Sequence, residues 1–402
     1  MRPPCTHRKY HQIVGLTSQT LLVLTIALTV AAFGAAVWLW PYLSRYSWLS
    51  VLGRIGVLLG IQLACLSALA LAANNYFGFY GSWNDLLGTG QDGATIADGT
   101  AAVSRTNAVR VLHHQQLPAP EGTTAVTGGI LEQVEVRGAK SRLITNGYVY
   151  LPPQYGQPRY AQVQFPLIVA LTGYPGTTEN LITRLKYPEL AASAIARKEM
   201  PPTVMVFLRP TLAPPRDTEC MDIPGGPQVE SFFTQDLPSA LGAAYRVGDG
   251  AAYRGVIGDS TGGYCALKFA MRHPDTYTAA ASLSGYYKTA VDATTGDLFG
   301  GSRKLEREND LIWRLRNLPS PAVSVLVTTS RHGESNYQAT QDFLAAAKPP
   351  LQTASIILPS GGHNFATWSR ELPQALPWLG RQLQAPRANP VLAEAAPGTT
   401  AS

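Results

Sequence analysis

Charge is scarce in this 402-residue chain: Asp, Glu, Lys and Arg make up 14%, against 46% hydrophobic residues. Cysteine is rarer, four in all, with no C-x-x-C pair, and the seven histidines are scattered. That pattern excludes a compact thiolate or imidazole metal centre, and neither a metal nor another cofactor is expected. A basic stripe with interleaved aromatics is also missing. Arg2, Arg8, Lys9, Arg45 and Arg54 against Asp85 place +4 of the formal +6 in the first 90 residues, leaving +2 for the other 312. Nucleic acid is therefore not an expected partner. No internal repeat is present.

The apolar surplus sits at the N-terminus. Leu21 to Trp40 runs 20 residues without a charge, and Ile55 to Ala73 another 19. Each is long enough to cross a bilayer core as a helix. Trp38, Trp40, Tyr42, Tyr46 and Trp48 lie between them, as aromatics do at membrane interfaces. The first run is long for a signal peptide, and a second follows it. We expect a membrane anchor over residues 1–87, with transmembrane helices at about 21–40 and 55–73. The positive-inside signal is split. Arg2, Arg8 and Lys9 favour a cytoplasmic C-terminal domain. The loop residues Arg45 and Arg54, with the acidic exit Asp85, Asp92 and Asp98, favour an extracytoplasmic one.

Residues 88–127 are rich in Gly, Ala, Thr, Asp and Pro and read as a linker. From Ile130 the alternation begins. Ile130 to Val136 and Gly147 to Leu151 look like an antiparallel pair. Strands are then predicted at Pro166–Leu171, Thr203–Leu208, Tyr253–Ile257, Tyr277–Leu283, Ala322–Val327 and Ala354–Leu358. Helices are predicted near Asn180–Lys198, Thr234–Tyr245, after Ser260, at Tyr337–Ala347 and at Ala366–Leu383. This order implies an α/β domain over residues 128–383, a mostly parallel sheet flanked by helices. Residues 384–402, rich in Ala, Pro and Thr, read as a disordered tail.

Between the fifth of these strands and its helix stands Gly258-Asp259-Ser260-Thr261-Gly262, a G-x-S-x-G nucleophile elbow. A serine hydroxyl needs a base to take its proton. The elbow sets it on a strand-to-helix turn, where the N–H of Thr261 faces a developing oxyanion. In the order Ser, acid, His, three histidines follow. His273 ends a helix and His332 ends a strand. His363, in Pro359-Ser-Gly-Gly-His-Asn, leaves the last strand at the sheet's carboxyl edge and is the expected base. Glu334 is the favoured acid over Asp342, which lies inside a helix. Tyr174, in the turn after Leu171, is the second oxyanion donor, because Pro175 has no N–H. Cys220 and Cys265 form either a disulfide or two buried thiols; Cys5 and Cys65 belong to the anchor.

Four segments together resemble the putative-esterase family of α/β-hydrolases, which includes esterase D and the secreted mycolyltransferases of actinobacterial envelopes. They are Ile257–Tyr264, Gly226-Pro-Gln-Val-Glu-Ser-Phe-Phe-Thr-Gln-Asp-Leu-Pro, Leu171-Thr-Gly-Tyr and Gly361-Gly-His-Asn-Phe-Ala-Thr-Trp. The resemblance covers about residues 125–383 and is similar to membrane-anchored actinobacterial members whose esterase domain lies outside the membrane. It implies the α/β-hydrolase fold, Ser260 as nucleophile, His363 as base, Glu334 as acid, and Thr261 and Tyr174 as oxyanion donors. The expected activity is a multi-pass, membrane-anchored serine esterase acting on an ester or lipid-like small molecule. Two alternatives stay open: a mycolyltransferase-like envelope acyltransferase, and a catalytically silent binding protein on the same fold.

Overall fold

The computed structural model describes residues 18–45, 47–77, 83, 103–104, 106–122, 126–214 and 216–388. It falls into two compact units, 1–91 and 92–402.

Among its described residues the first unit has two long helices, α1 (Gln19–Leu39) and α2 (Trp48–Phe77). Ser18 caps α1, its hydroxyl accepting the Leu21 N–H. At 21 residues and about 1.5 Å per residue, α1 reaches about 30 Å. Both helices are long and apolar enough to cross a membrane, with a mean hydropathy of 2.3 in each. No residue of α1 is buried, and Val30, Val37, Leu63 and Leu69 are exposed on the pair. The second helix starts at Trp48, ahead of residue 55. Arg54 does not end it, because its guanidinium folds back onto the Ser50 carbonyl.

The second unit is built on β1 (Val103–Ser104), β2 (Val109–Leu117), β3 (Gly129–Arg137), β4 (Ile144–Leu151), β5 (Val163–Gln164) and β6 (Leu167–Leu171). Helices α3 (Thr178–Thr183) and α4 (Tyr187–Ala196) lead to β7 (Val204–Leu208). After α5 (Leu237–Ala244) come β8 (Arg254–Asp259), α6 (Thr261–Arg272) and β9 (Ala279–Leu283). The chain ends with α7 (Arg303–Glu308), α8 (Leu311–Asn317), β10 (Ser324–His332), α9 (Tyr337–Ala346), β11 (Gln352–Ser360), α10 (Phe365–Gln382) and β12 (Arg387–Ala388). Ten strands form one sheet in the order β1-β2-β3-β4-β7-β6-β8-β9-β10-β11. The pairs from β1 to β4 and from β4 to β7 are antiparallel, and all later pairs are parallel. This is the α/β-hydrolase architecture, a mostly parallel sheet flanked by helices.

The central strands β6, β7 and β9 are buried at every position, as expected of strands covered on both faces. Their alternation divides the core. Leu167, Val169 and Leu171 pack with Leu237, Leu241 and Phe269 on one side. Ile168 and Ala170 pack with Ala191, Leu372 and Leu376 on the other. The sheet's carboxyl edge is left between these two helical layers.

Three expectations need correction. Residues 88–127 are not wholly linker: β2 pairs along β3, so the sheet begins at Val103 rather than at 128. Val109, Val111 and Leu117 are buried, but the run His113–Gln116 between them is polar and hides the alternation. The helix predicted near 180–198 is two helices, broken where Lys186 turns left-handed (φ 52°, ψ 41°) ahead of Pro188 in the first turn of α4. In the tail, Arg387–Ala388 pairs with β5; residues 389–402 lie outside the described residues.

Candidate active site

Ser260 stands alone between β8 and α6, at φ 53° and ψ −120°. That conformation is strained for a side-chain-bearing residue. The glycines of the motif make the turn possible. A Cβ on Gly258 would lie 2.4 Å from the Gly262 carbonyl carbon, and one on Gly262 would lie 2.4 Å from the Leu171 oxygen. The Ser260 N–H donates to the Leu283 carbonyl (3.0 Å), which fixes this serine at the β9 end.

His363 reaches this point from the loop between β11 and α10. Its Nε2 lies 2.8 Å from Ser260 Oγ. The ring stands edge-on to Trp368, with centroids 5.3 Å apart. The loop itself is pinned. Asn364 caps α10 by accepting the Thr367 N–H, the Gly362 N–H donates to the Thr367 hydroxyl, and the Gly361 N–H donates to the His332 carbonyl. Although the side chain is 49% exposed, the part turned into the site is shielded from water, which lowers the His363 pKa and favours the neutral imidazole that can accept a proton.

Glu334 follows β10 on the far side of His363. Its Oε2 accepts the Ser330 N–H at 2.8 Å, and Oε1 lies 4.0 Å from His363 Nδ1, beyond hydrogen-bond length. Burial pushes this carboxyl up, against the pull of the Ser330 N–H. Asp342 is elsewhere, on α9, accepting from Gln338 at an exposed position. His273 is also away from Ser260. Its Nε2 lies 2.7 Å from Glu230, which also takes the Arg272 guanidinium at 2.7 Å. Against its burial, Lys268, His273 and Arg272 hold Glu230 well below the usual carboxylate range.

The two candidate oxyanion donors flank the serine. Thr261 is the first residue of α6, where backbone N–H groups point outward. Tyr174 lies in the turn after β6, beside Gly173. A Cβ on Gly173 would sit 2.9 Å from Ser260 Cβ, so this turn lies directly against Ser260. Asp259 holds it there: its Oδ2 accepts the Gly173 N–H at 2.9 Å. Burial raises the Asp259 pKa to about 7, partly offset by that N–H.

Sequence reading missed this role for Asp259, although the residue sits inside the motif. It also missed Glu219, which the chain brings to the back of the site. Tyr286 donates to Glu219 Oε1 at 2.6 Å and lies 3.0 Å from the Thr261 hydroxyl. Cys220 and Cys265 are joined, with Cα atoms 5.9 Å apart, tying the loop that carries Glu219 to α6. Lys268, one turn further along α6, is fully buried and donates to the carbonyls of Glu219 and Cys220. Glu219 and Cys220 both have positive φ, and these donors hold that bend.

A family model described as "Putative esterase" matches residues 144–379, more than half of the chain. The chain belongs to this esterase family. Among curated proteins, an uncharacterized protein of Corynebacterium glutamicum is 22% identical over 248 residues, covering 59% of this chain. The chain spans only 57% of the length of that relative. Among solved structures, a ferulic acid esterase superposes with a TM-score of 0.54 at 18% identity, over 63% of this chain and 98% of that one. An S-formylglutathione hydrolase from Agrobacterium tumefaciens gives 0.54 at 16% identity, over 66% and 99%. Fluorophosphonate-binding serine hydrolase F of Staphylococcus aureus gives 0.50 at 15% identity, over 63% and 98%. At these identities the superpositions establish the shared fold.

Proposed function

We propose that this esterase is a membrane-anchored serine hydrolase of carboxylic esters, working through an acyl-enzyme on Ser260. The observation that carries the reading is the 2.8 Å contact between Ser260 Oγ and His363 Nε2, made at a strained elbow. His363 Nε2 takes the hydroxyl proton as Oγ bonds to the ester carbonyl carbon. The carbonyl oxygen becomes an oxyanion facing the N–H groups of Thr261 and Tyr174. Collapse breaks the bond to the alcohol, which leaves with the proton from His363. Water then repeats the sequence, releasing the acid and restoring Ser260. Glu334 orients the imidazole and stabilises its protonated form as the 4.0 Å gap to Nδ1 closes.

The anchor is part of the same reading. Two apolar helices of membrane-spanning length, with Arg54 near the start of the second as their single charge, support a multi-pass anchor, with residues between them and β1 as the tether. A joined Cys220–Cys265 pair favours an oxidising compartment, and so an extracytoplasmic catalytic domain.

A fluorophosphonate probe tests the chemistry. Wild-type protein should be labelled covalently and Ser260→Ala should not; equal labelling of both, or labelling of neither, overturns the reading. For topology, Glu121→Cys should react with a membrane-impermeant maleimide in intact cells. Reaction only after lysis would place the domain in the cytoplasm.

A further inference from the structure

Beside the proposed triad, the chain between β9 and α8 lines an open cavity of about 730 Å³, with Lys288, Arg303 and Arg307 exposed at its rim, that the ester chemistry above does not use. Tyr286 forms part of its wall. Its hydroxyl lies 3.0 Å from the side chain of Thr261, the neighbour of Ser260. Tyr286 also follows closely on Leu283, whose carbonyl accepts the Ser260 N–H. The cavity therefore starts at the same carboxyl edge of the sheet as Ser260 and His363, where open α/β sheets bind their ligands.

The lining is unusual in its charge. Lys288 comes from the segment after β9, and Arg303 and Arg307 come from α7. The two arginines are four residues apart on one helical face, a like-charge spacing that destabilises a helix. Among the described residues, no ion pair within 4.0 Å engages any of these three cations. The two carboxylates of the lining, Glu306 and Asp310, offset two of the three positive charges and leave a net +1, but neither pairs directly with a cation. Asp310 is committed to capping α8, its Oδ1 accepting the Trp313 N–H at 2.8 Å. Glu306 lies within 4.0 Å of neither arginine's charged nitrogens. Phe299 and Trp313 supply apolar wall on the same cavity.

We propose that this cavity holds the non-reacting end of the ester substrate, and that this end carries an anion, a carboxylate or a phosphate. Guanidinium groups match both oxyanions with paired N–H donors, and the two aromatic walls cover the carbon body behind the anion. The proposal rests on the reading of Ser260 as nucleophile and names the substrate class for that site.

The test uses full-length protein in neutral detergent. Mono-4-nitrophenyl succinate and 4-nitrophenyl butyrate differ in a terminal carboxylate, so the ratio of their kcat/KM values reports anion recognition. That ratio should fall about tenfold in Arg303→Gln/Arg307→Gln, the size expected for one lost charge-assisted contact. It should hold in Lys304→Gln, which removes a charge from the same helix outside the cavity. In parallel, calorimetry on Ser260→Ala should show phenylphosphonate binding that weakens about tenfold when both arginines are also replaced. A response in the ester arm alone assigns a carboxylate, and one in the phosphonate arm alone assigns a phosphate. No response in either arm, or an equal response in Lys304→Gln, overturns the proposal and leaves the nucleophile reading standing. If neither ester turns over and the fluorophosphonate probe does not label, the nucleophile reading fails instead, and calorimetry alone decides the cavity.

Discussion

Asp259 accepts the backbone N–H of Gly173 at 2.9 Å, so the residue before Ser260 holds the turn that carries Tyr174. Asp259→Leu removes the acceptor and leaves a buried N–H unpaired, which costs about 1–3 kcal/mol locally. We expect kcat to fall about 10–100-fold as the oxyanion donor shifts, with KM changing less. Asp259→Asn keeps an oxygen acceptor and should recover most of that loss. Equal damage from both variants would show that the charge, and not the hydrogen bond, matters.

Glu334 and Asp342 separate cleanly by site-directed exchange. Glu334→Gln should lower kcat about 10²–10⁴-fold, because a neutral amide neither orients nor stabilises a protonated imidazole. Asp342→Asn, on the exposed face of α9, should change kcat less than about twofold. The reverse pattern in steady-state kinetics would give Asp342 the acidic role.

Activity should fall on the acid side through an ionisation below the ordinary histidine value of 6.5. The sign follows from the base: burial lowers the His363 pKa, and only the neutral ring accepts the Ser260 proton. A kcat/KM profile on 4-nitrophenyl butyrate between about pH 5 and 8 measures it. A midpoint above 6.5 would place another group in control.

Thermal stability should fall as pH rises from about 5 to 8. Burial raises Asp217 to about 6, Glu219 to about 8, Asp259 to about 7 and Glu371 to about 8. The folded protein therefore keeps protons that the unfolded chain releases near pH 4, and its advantage is lost as pH passes those values. His363 works the other way, as one ring against four carboxyls. Below about pH 4 the unfolded chain takes up a proton at Glu230 that the folded one, held by Lys268 and Arg272, does not, and stability drops again. Scanning calorimetry should find Tm at pH 8 about 4 °C or more below that at pH 5. A flat or rising Tm over that window would contradict the buried protonated carboxyls.

Much of the site was legible because its chemistry is local. The elbow glycines answer contacts within the turn and with Leu171, and the apolar runs before and after Ser260 mark their strand and helix. His363 was found through chain order and its place after the last parallel strand. The features missed depend on distant partners. Asp259 has no visible role until β6 brings Gly173 beside β8, and Glu219 none until α6 lies under its loop. Strand β2 escaped because, next to the sheet's edge, it buries only part of one face, and four consecutive polar residues break its period.

The backbone of Ser260 sets stability against reactivity at a single position. Its φ of 53° with ψ of −120° belongs to glycine's territory, and a serine there costs about 1–3 kcal/mol. Ser260→Gly would therefore yield an inert protein that melts later than the working one. Selection for robustness alone would drift toward that glycine, and only a continuing demand for turnover keeps the hydroxyl in place.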